Sequence, residues 1–229
     1  MYKRQGEGGP KAKFQANINA IRLLKELEVA GQQASPEQQE VLSRYVGWGG
    51  LADAFDPEKP AWALEYAQLK ELLTPEEYAA ARSSTLNAHY TSPTVIQAIY
   101  EAVGRMGFET GNILEPSMGV GNFFGMLPEK MRNSRLYGVE LDPVSGRIAK
   151  QLYPKADITV GGFETTDRRD FFDLAIGNVD VYKRQGWDYT LYDAASMKEL
   201  DGGQLDMPEI SRMKAVLQIC DDKIGRAHV

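Results

Sequence analysis

The 229-residue chain has one cysteine and two histidines. A single thiol, Cys220, excludes an internal disulfide and fits a reducing cytoplasm. It sits in an apolar helical pattern and reads as a packing residue. With His89 and His228 as the only imidazoles and one thiol, a zinc site is not expected. No apolar run approaches the roughly 20 residues of a membrane-spanning helix, and no basic-then-apolar signal segment opens the chain. Excess positive charge is missing too. The 26 Lys and Arg against 32 Asp and Glu leave a formal net charge of -6, so binding to nucleic acid requires a local patch or a partner module. What remains is 43% hydrophobic and 25% charged, an ordinary globular composition. The length suffices for one good core with a small appendage.

Along the chain, residues 1–13 ("MYKRQGEGGPKAK") are Gly-rich, basic and aperiodic and read as a disordered leader. From Phe14 the pattern is helical. In "INAIRLLKELEVAG", Ile18, Ile21, Leu24 and Leu27 share one face and Gly31 supplies the C-cap. "SPEQQEVLSRYVGWGGL" starts a helix with Ser35 as N-cap and Pro36 behind it, running to the turn at Gly47-Trp48-Gly49-Gly50. A further helix fits "AWALEYAQLKELL", and Thr74 with Glu77 forms a capping box for the next. Residues 14–90 are therefore a helical preface, with Trp48 and Trp62 expected to pack.

Over residues 91–180 the grammar changes. "SPTVIQAIYEAVGRMGF" is an amphipathic helix capped by Ser92. The apolar runs "NILE", "RLYGVEL", "DITV" and "FFDLAIGN" then alternate with "NFFGMLPEKM" and "PVSGRIAKQLYP". Strands alternating with helices imply an α/β fold with a parallel sheet, whose ligands bind off the carboxyl ends of the strands. Residues 186–224 read as strand, polar turn and amphipathic helix, a small α+β module without another apolar parallel strand, so the sheet is partial.

The strongest chemical signal is "ILEPSMGVGNFFG", residues 113–125. A buried strand ends in Glu115, and Gly119 and Gly121 let the backbone turn sharply beside a ligand. A dinucleotide loop would place a third glycine where Phe124 stands. It would also leave the strand end free of an acid that repels pyrophosphate. Glu115 instead suits a cationic amino-acid moiety such as that of S-adenosylmethionine. Glu140, ending the next strand in "GVELDP", is placed to accept hydrogen bonds from ribose hydroxyls. Asp142, with Pro143 behind it, reads as a helix cap rather than a metal ligand.

In order along the chain, these motifs resemble the amino-methylating DNA methyltransferases, particularly the adenine-N6 type, which share the class I S-adenosylmethionine-dependent fold. "HYTSP" (89–93) is similar to the segment lining the cofactor's amino-acid end, which implies a contact at Thr91. "LEPSMGVGNF" is similar to the cofactor loop, implying roles for Glu115, Pro116, Ser117, Gly119, Gly121 and Asn122. "GVELDP" matches the ribose-binding strand, with Glu140 and Leu141. "GGFETT" resembles the adenine-contacting segment, with Glu164 as partner of the ring's amino group. "DLAIGN" resembles the approach to the catalytic motif, in which Asn178 would hold the target amine.

The signature "RYVGWGGL" (44–51) further resembles the methyltransferase-like region of very large helicase proteins of bacterial mobile elements. The resemblance, over roughly residues 14–179, implies DNA as partner, a helicase region in the parent protein and no metal. Residues 186–224 resemble small domains on proteins of the same elements.

One motif departs from the family. Where the relatives continue Gly-Asn-Val with Pro-Phe, this chain has Asp180 and Val181, then "YKRQG" (182–186), a copy of residues 2–6. The aromatic that would stack on a flipped-out base is lost, so the chain is expected to be inactive in methyl transfer. The alternative is a non-catalytic DNA- or cofactor-binding module within a larger helicase protein. Residues 1–5, 181–185 and 225–229 resemble translated sequence tags at read junctions and are expected to be artefactual.

Overall fold

A computed structural model describes residues 8–85, 91–163, 168 and 171–177, with the backbone of 191–192 and 199–200. The preface opens with α1 (Pro10–Ala30) and α2 (Pro36–Leu42). Two 3-10 turns, Ala52–Phe55 and Pro60–Trp62, lead into α3 (Ala63–Leu72) and α4 (Pro75–Ser84). The local signals act as their chemistry requires. Ser35 and Thr74 each close a reciprocal capping box, with Gln38 and Glu77 respectively. Gly31 ends α1 at φ 61°, in the left-handed region.

Two expectations need correction. The helix begins at Pro10, inside the segment read as a disordered leader. Proline at the first helical position costs no hydrogen bond, and Lys11 ties this first turn down. Its ammonium donates to the Ala61 carbonyl at 2.6 Å, pairs with Glu65 at 2.6 Å and lies 4.0 Å from the Trp62 ring centroid. The second correction is the end of α2, which stops at Leu42, well before the glycine turn. Buried Asn17 of α1 accepts from the Val46 N–H at 2.9 Å and donates to the Gly47 carbonyl at 2.5 Å. Those two backbone groups are thereby removed from helical pairing.

After α5 (Pro93–Arg105) come β1 (Asn112–Glu115), the single turn α6 (Asn122–Gly125), β2 (Arg135–Glu140), α7 (Pro143–Leu152), β3 (Asp157–Val160) and β4 (Leu174–Ala175). All four strands are parallel, in the order β3-β2-β1-β4. This is an α/β fold, a four-stranded parallel sheet behind a helical segment. Side chains alternate along the strands. Ile113 packs with Ile96, Ile99 and Val103 of α5, whereas Leu114 joins Val139, Phe172 and the partly buried Phe163 and Phe171 in a separate cluster.

The preface does not keep its core to itself. Phe14, Ile18, Leu24, Tyr45, Trp48 and Leu69 form one cluster with Val120, Val144 and Ile148 from the sheet region. Trp48 is buried, with edge contacts to Phe14, Tyr45 and Phe55 at ring-centroid distances of 6.0, 6.3 and 5.3 Å. In the tail, β5 (Leu191–Tyr192) pairs antiparallel with β6 (Glu199–Leu200).

Candidate functional site

The strand order reverses between β1 and β4, and doubly wound sheets bind ligands at the carboxyl ends of strands at that switch point. β1 ends there in Glu115, with Gly177 beside it: a Cβ at Gly177 would stand 3.5 Å from Pro116 Cδ and 3.7 Å from Glu115 Cγ. The loop after β1 turns back through two glycines in the left-handed region, Gly119 at φ 56° and Gly121 at φ 84°. Met118, between Glu115 and those glycines, donates its N–H to the Val139 carbonyl at 3.1 Å. Its side chain fills the space that a Cβ at Gly138 would take, so a larger residue there would displace Met118.

Glu140, at the end of β2, holds the loop in place. One carboxylate oxygen accepts from the Gly119 N–H at 2.6 Å and the other from the Asp142 N–H at 2.8 Å. Tyr153, following α7, donates its hydroxyl to the Gly121 carbonyl at 2.7 Å. On the other side, Tyr100 of α5 donates to the Phe123 carbonyl at 2.9 Å. The loop is therefore fixed on both flanks before any ligand arrives.

Electrostatics give the site its character. Glu115 is 2% exposed and its Oε2 has no hydrogen-bond partner among the described residues. Burial, and secondarily the nearby Glu140 carboxylate, push its carboxyl well above the usual range, opposed by the Phe123 backbone amide. Glu140 is also raised, chiefly by burial, while the Asp142 and Gly119 amides pull it down. Asn122 Oδ1 and Asp142 Oδ1 are likewise buried and unpartnered. Among the described residues, three buried acceptors thus lack donors in one stretch of loop and strand end. A ligand that supplies N–H, O–H or positive charge satisfies them, whereas a pyrophosphate adds charge of the wrong sign. The residues present fit a cationic amino acid joined to a hydroxylated sugar.

The structure brings Glu115, Gly119, Gly121 and Glu140 together, with Asn122 opening α6. Pro116 is half-buried, Ser117 exposed, and Leu141 is 74% exposed at the tip of β2. Thr91 is half-buried just ahead of the α5 cap, Ser92, whose hydroxyl accepts from the Val95 N–H at 3.3 Å. Glu164 and Asn178 lie outside the described residues. Sequence reasoning missed Met118 and Tyr153, because nothing local marks the first as packing against Gly138 or the second as reaching the loop from beyond α7. Asp142 was read only as a cap. It is one, accepting from the Ser145 N–H at 3.0 Å through Oδ2, but its second oxygen remains unpartnered. Among the described residues no cluster of acidic, His or Cys side chains could hold a metal, and no helix is long and apolar enough to cross a membrane.

Residues 182–228 match the family described as Large polyvalent protein-associated domain 16. That match runs through most of the two stretches expected to be artefactual tags, 181–185 and 225–229. The chain is 27% identical over 182 residues to the Defense against restriction protein B of Escherichia phage P1, covering 78% of this chain and 6% of that protein. It is 38% identical over 95 residues to the Type II methyltransferase M.CvrRI of Paramecium bursaria Chlorella virus XZ-6E, covering 42% of this chain and 24% of that one. The chain thus spans a small part of either relative. Among solved structures, a TehB-like SAM-dependent methyltransferase from Corynebacterium glutamicum is 27% identical, with a TM-score of 0.31 over 44% of this chain and 53% of that one.

Proposed function

We propose that this chain is the cofactor-binding half of an S-adenosylmethionine-dependent DNA adenine-N6 methyltransferase, part of a helicase and methyltransferase system of a mobile element. As written, it does not itself transfer methyl groups. The observation that carries the reading is Glu115, a buried strand-end carboxyl with an unpartnered oxygen beside a two-glycine loop. The cofactor supplies an activated methyl group on a sulfonium. Glu115 would take the ammonium of its amino-acid end. Glu140, already accepting two backbone amides, retains lone pairs for the ribose hydroxyls. Leu141, a large exposed apolar side chain at the strand tip, offers a surface for the adenine ring, with Glu164 as partner for the ring's amino group.

Thr91, Pro116, Ser117 and Asn122 would complete the approach to the amino-acid end. Asn178 would hold the target amine in a complete relative, but Asp180 and Val181 replace the proline and the aromatic that such a motif needs. Similarity of part of the chain to a viral type II methyltransferase supports the reading. The alternative, a non-catalytic DNA- or cofactor-binding module, is favoured by the same loss at Asp180 and Val181.

The test pairs calorimetric titration with S-adenosylhomocysteine or NAD with methyl incorporation from labelled S-adenosylmethionine into adenine-unmethylated DNA. Binding of S-adenosylhomocysteine, no binding of NAD and no incorporation are expected. Preference for NAD would overturn the cofactor assignment, and incorporation into adenine would overturn the inactivity.

A further inference from the structure

We infer that the helical preface is a working part of the cofactor site, holding the glycine loop through Val120 and clamping α7 through the Glu77–Arg147 ion pair. The inference rests on the cofactor reading above only for what the loop binds.

Val120 stands between the two left-handed glycines, so its side chain is the loop's one anchor there. It is 3% exposed and belongs to the same buried cluster as Phe14, Leu42 and Trp48 of the preface and Val144 and Ile148 of α7. The other large side chains of the loop, Met118 and Phe124, pack with Ala149 and Ile158 in a different cluster. The side chains that flank and separate Gly119 and Gly121 thus enter two different cores, one with the sheet and one that α7 shares with the preface.

The helix that follows Glu140 is held by the same module. Arg147 of α7 pairs with Glu77 of α4 and at 3.4 Å with Glu28 of α1. Glu77 is 4% exposed and takes Lys25 of α1 at 2.8 Å and the Thr74 N–H at 2.9 Å. Gln151 of α7 adds a second connection, accepting from the Ala34 N–H at 2.9 Å, while its own carbonyl accepts from Gln39 at 2.8 Å. Since Glu140 carries the Gly119 amide and leads into α7, displacing α7 moves the loop's hydrogen-bond acceptor. Val120, Glu77 and Arg147 are thus positioning residues: none need touch the cofactor, yet each fixes a group that does.

Hydrogen exchange on the full chain without ligand decides the matter independently of cofactor binding. The amides of Met118, Gly119 and Gly121 report the loop, since all three are hydrogen-bonded. Val103 of α5, buried in the separate cluster under β1, gives a matched Val103→Ala control. Val120→Ala and Glu77→Gln are expected to speed exchange at the three loop amides by roughly tenfold, with a smaller change in α5. Val120→Ile should restore protection, and Val103→Ala should leave the loop amides as they were. Unchanged loop exchange, or an equal rise in loop and α5, would overturn the inference. Titration of the same variants with S-adenosylhomocysteine then separates the two readings. If the unaltered chain binds nothing, the cofactor assignment fails while the exchange result still decides the positioning role. If it binds, Val120→Ala should weaken affinity by roughly tenfold and Val103→Ala should not.

Discussion

A carboxyl buried at a strand end with one oxygen unpartnered is destabilising when charged, and burial holds Glu115 toward its neutral form. Its folded-state pKa lies well above the unfolded value. The stability it contributes is therefore present below the ordinary carboxylate range and lost as pH rises through the folded value. Thermal unfolding of the ligand-free chain should show stability falling over that window, and Glu115→Gln should flatten the fall and melt higher than the unaltered chain at alkaline pH. An identical pH profile for the two would mean that the carboxyl is not buried as described. The same substitution should abolish binding of a cationic ligand, because an amide offers no charge to an ammonium, and a calorimetric titration reads that directly. Glu115 was legible in the sequence: a strand-end acid ahead of a glycine loop has few structural uses. Its isolation was not, because that depends on which donors the fold brings near it.

At the scale of elements, what could be read from sequence was what is decided locally. The capping boxes at Ser35 and Thr74, the left-handed Gly31 and the cap at Asp142 all act between residues a few positions apart. Thr74→Ala should accordingly cost about 1 kcal/mol of stability, measured by denaturant unfolding. Unread were the two places where a distant side chain overrides local pattern. Lys11 orders the first turn of α1 by reaching Ala61 and Glu65, and Asn17 ends α2 early by capturing Val46 and Gly47. Asn17 is fully buried, so Asn17→Ala strands an N–H and a carbonyl away from water. The expected cost is about 1–3 kcal/mol for each group left unsatisfied. A loss below about 0.5 kcal/mol would show that Asn17 does not cap these groups in solution.

Across the whole molecule, the alternation of strands and helices sufficed to give the parallel sheet, because each strand's apolar run is short and its boundaries are marked by turn residues. The docking of the preface could not be read, since the apolar residues of α7 that face it, Val144 and Ile148, have the same spacing as residues facing a sheet. One shared core has a thermodynamic consequence. Elements that bury each other's apolar surface lose it together, so preface and sheet should unfold in a single transition. Trp48 is buried in that core and, with Trp62 packed against it, reports it by fluorescence, while exchange of the β2 amides reports the sheet. The two probes should give coincident denaturant midpoints. Phe14→Ala, which keeps the fluorophore and truncates a buried ring of the same core, should lower both by an amount corresponding to about 3–5 kcal/mol. A fluorescence transition that precedes loss of β2 protection would instead make the preface an independently melting unit. In that case, the glycine loop would keep its shape without it, and Val120 would have no positioning role.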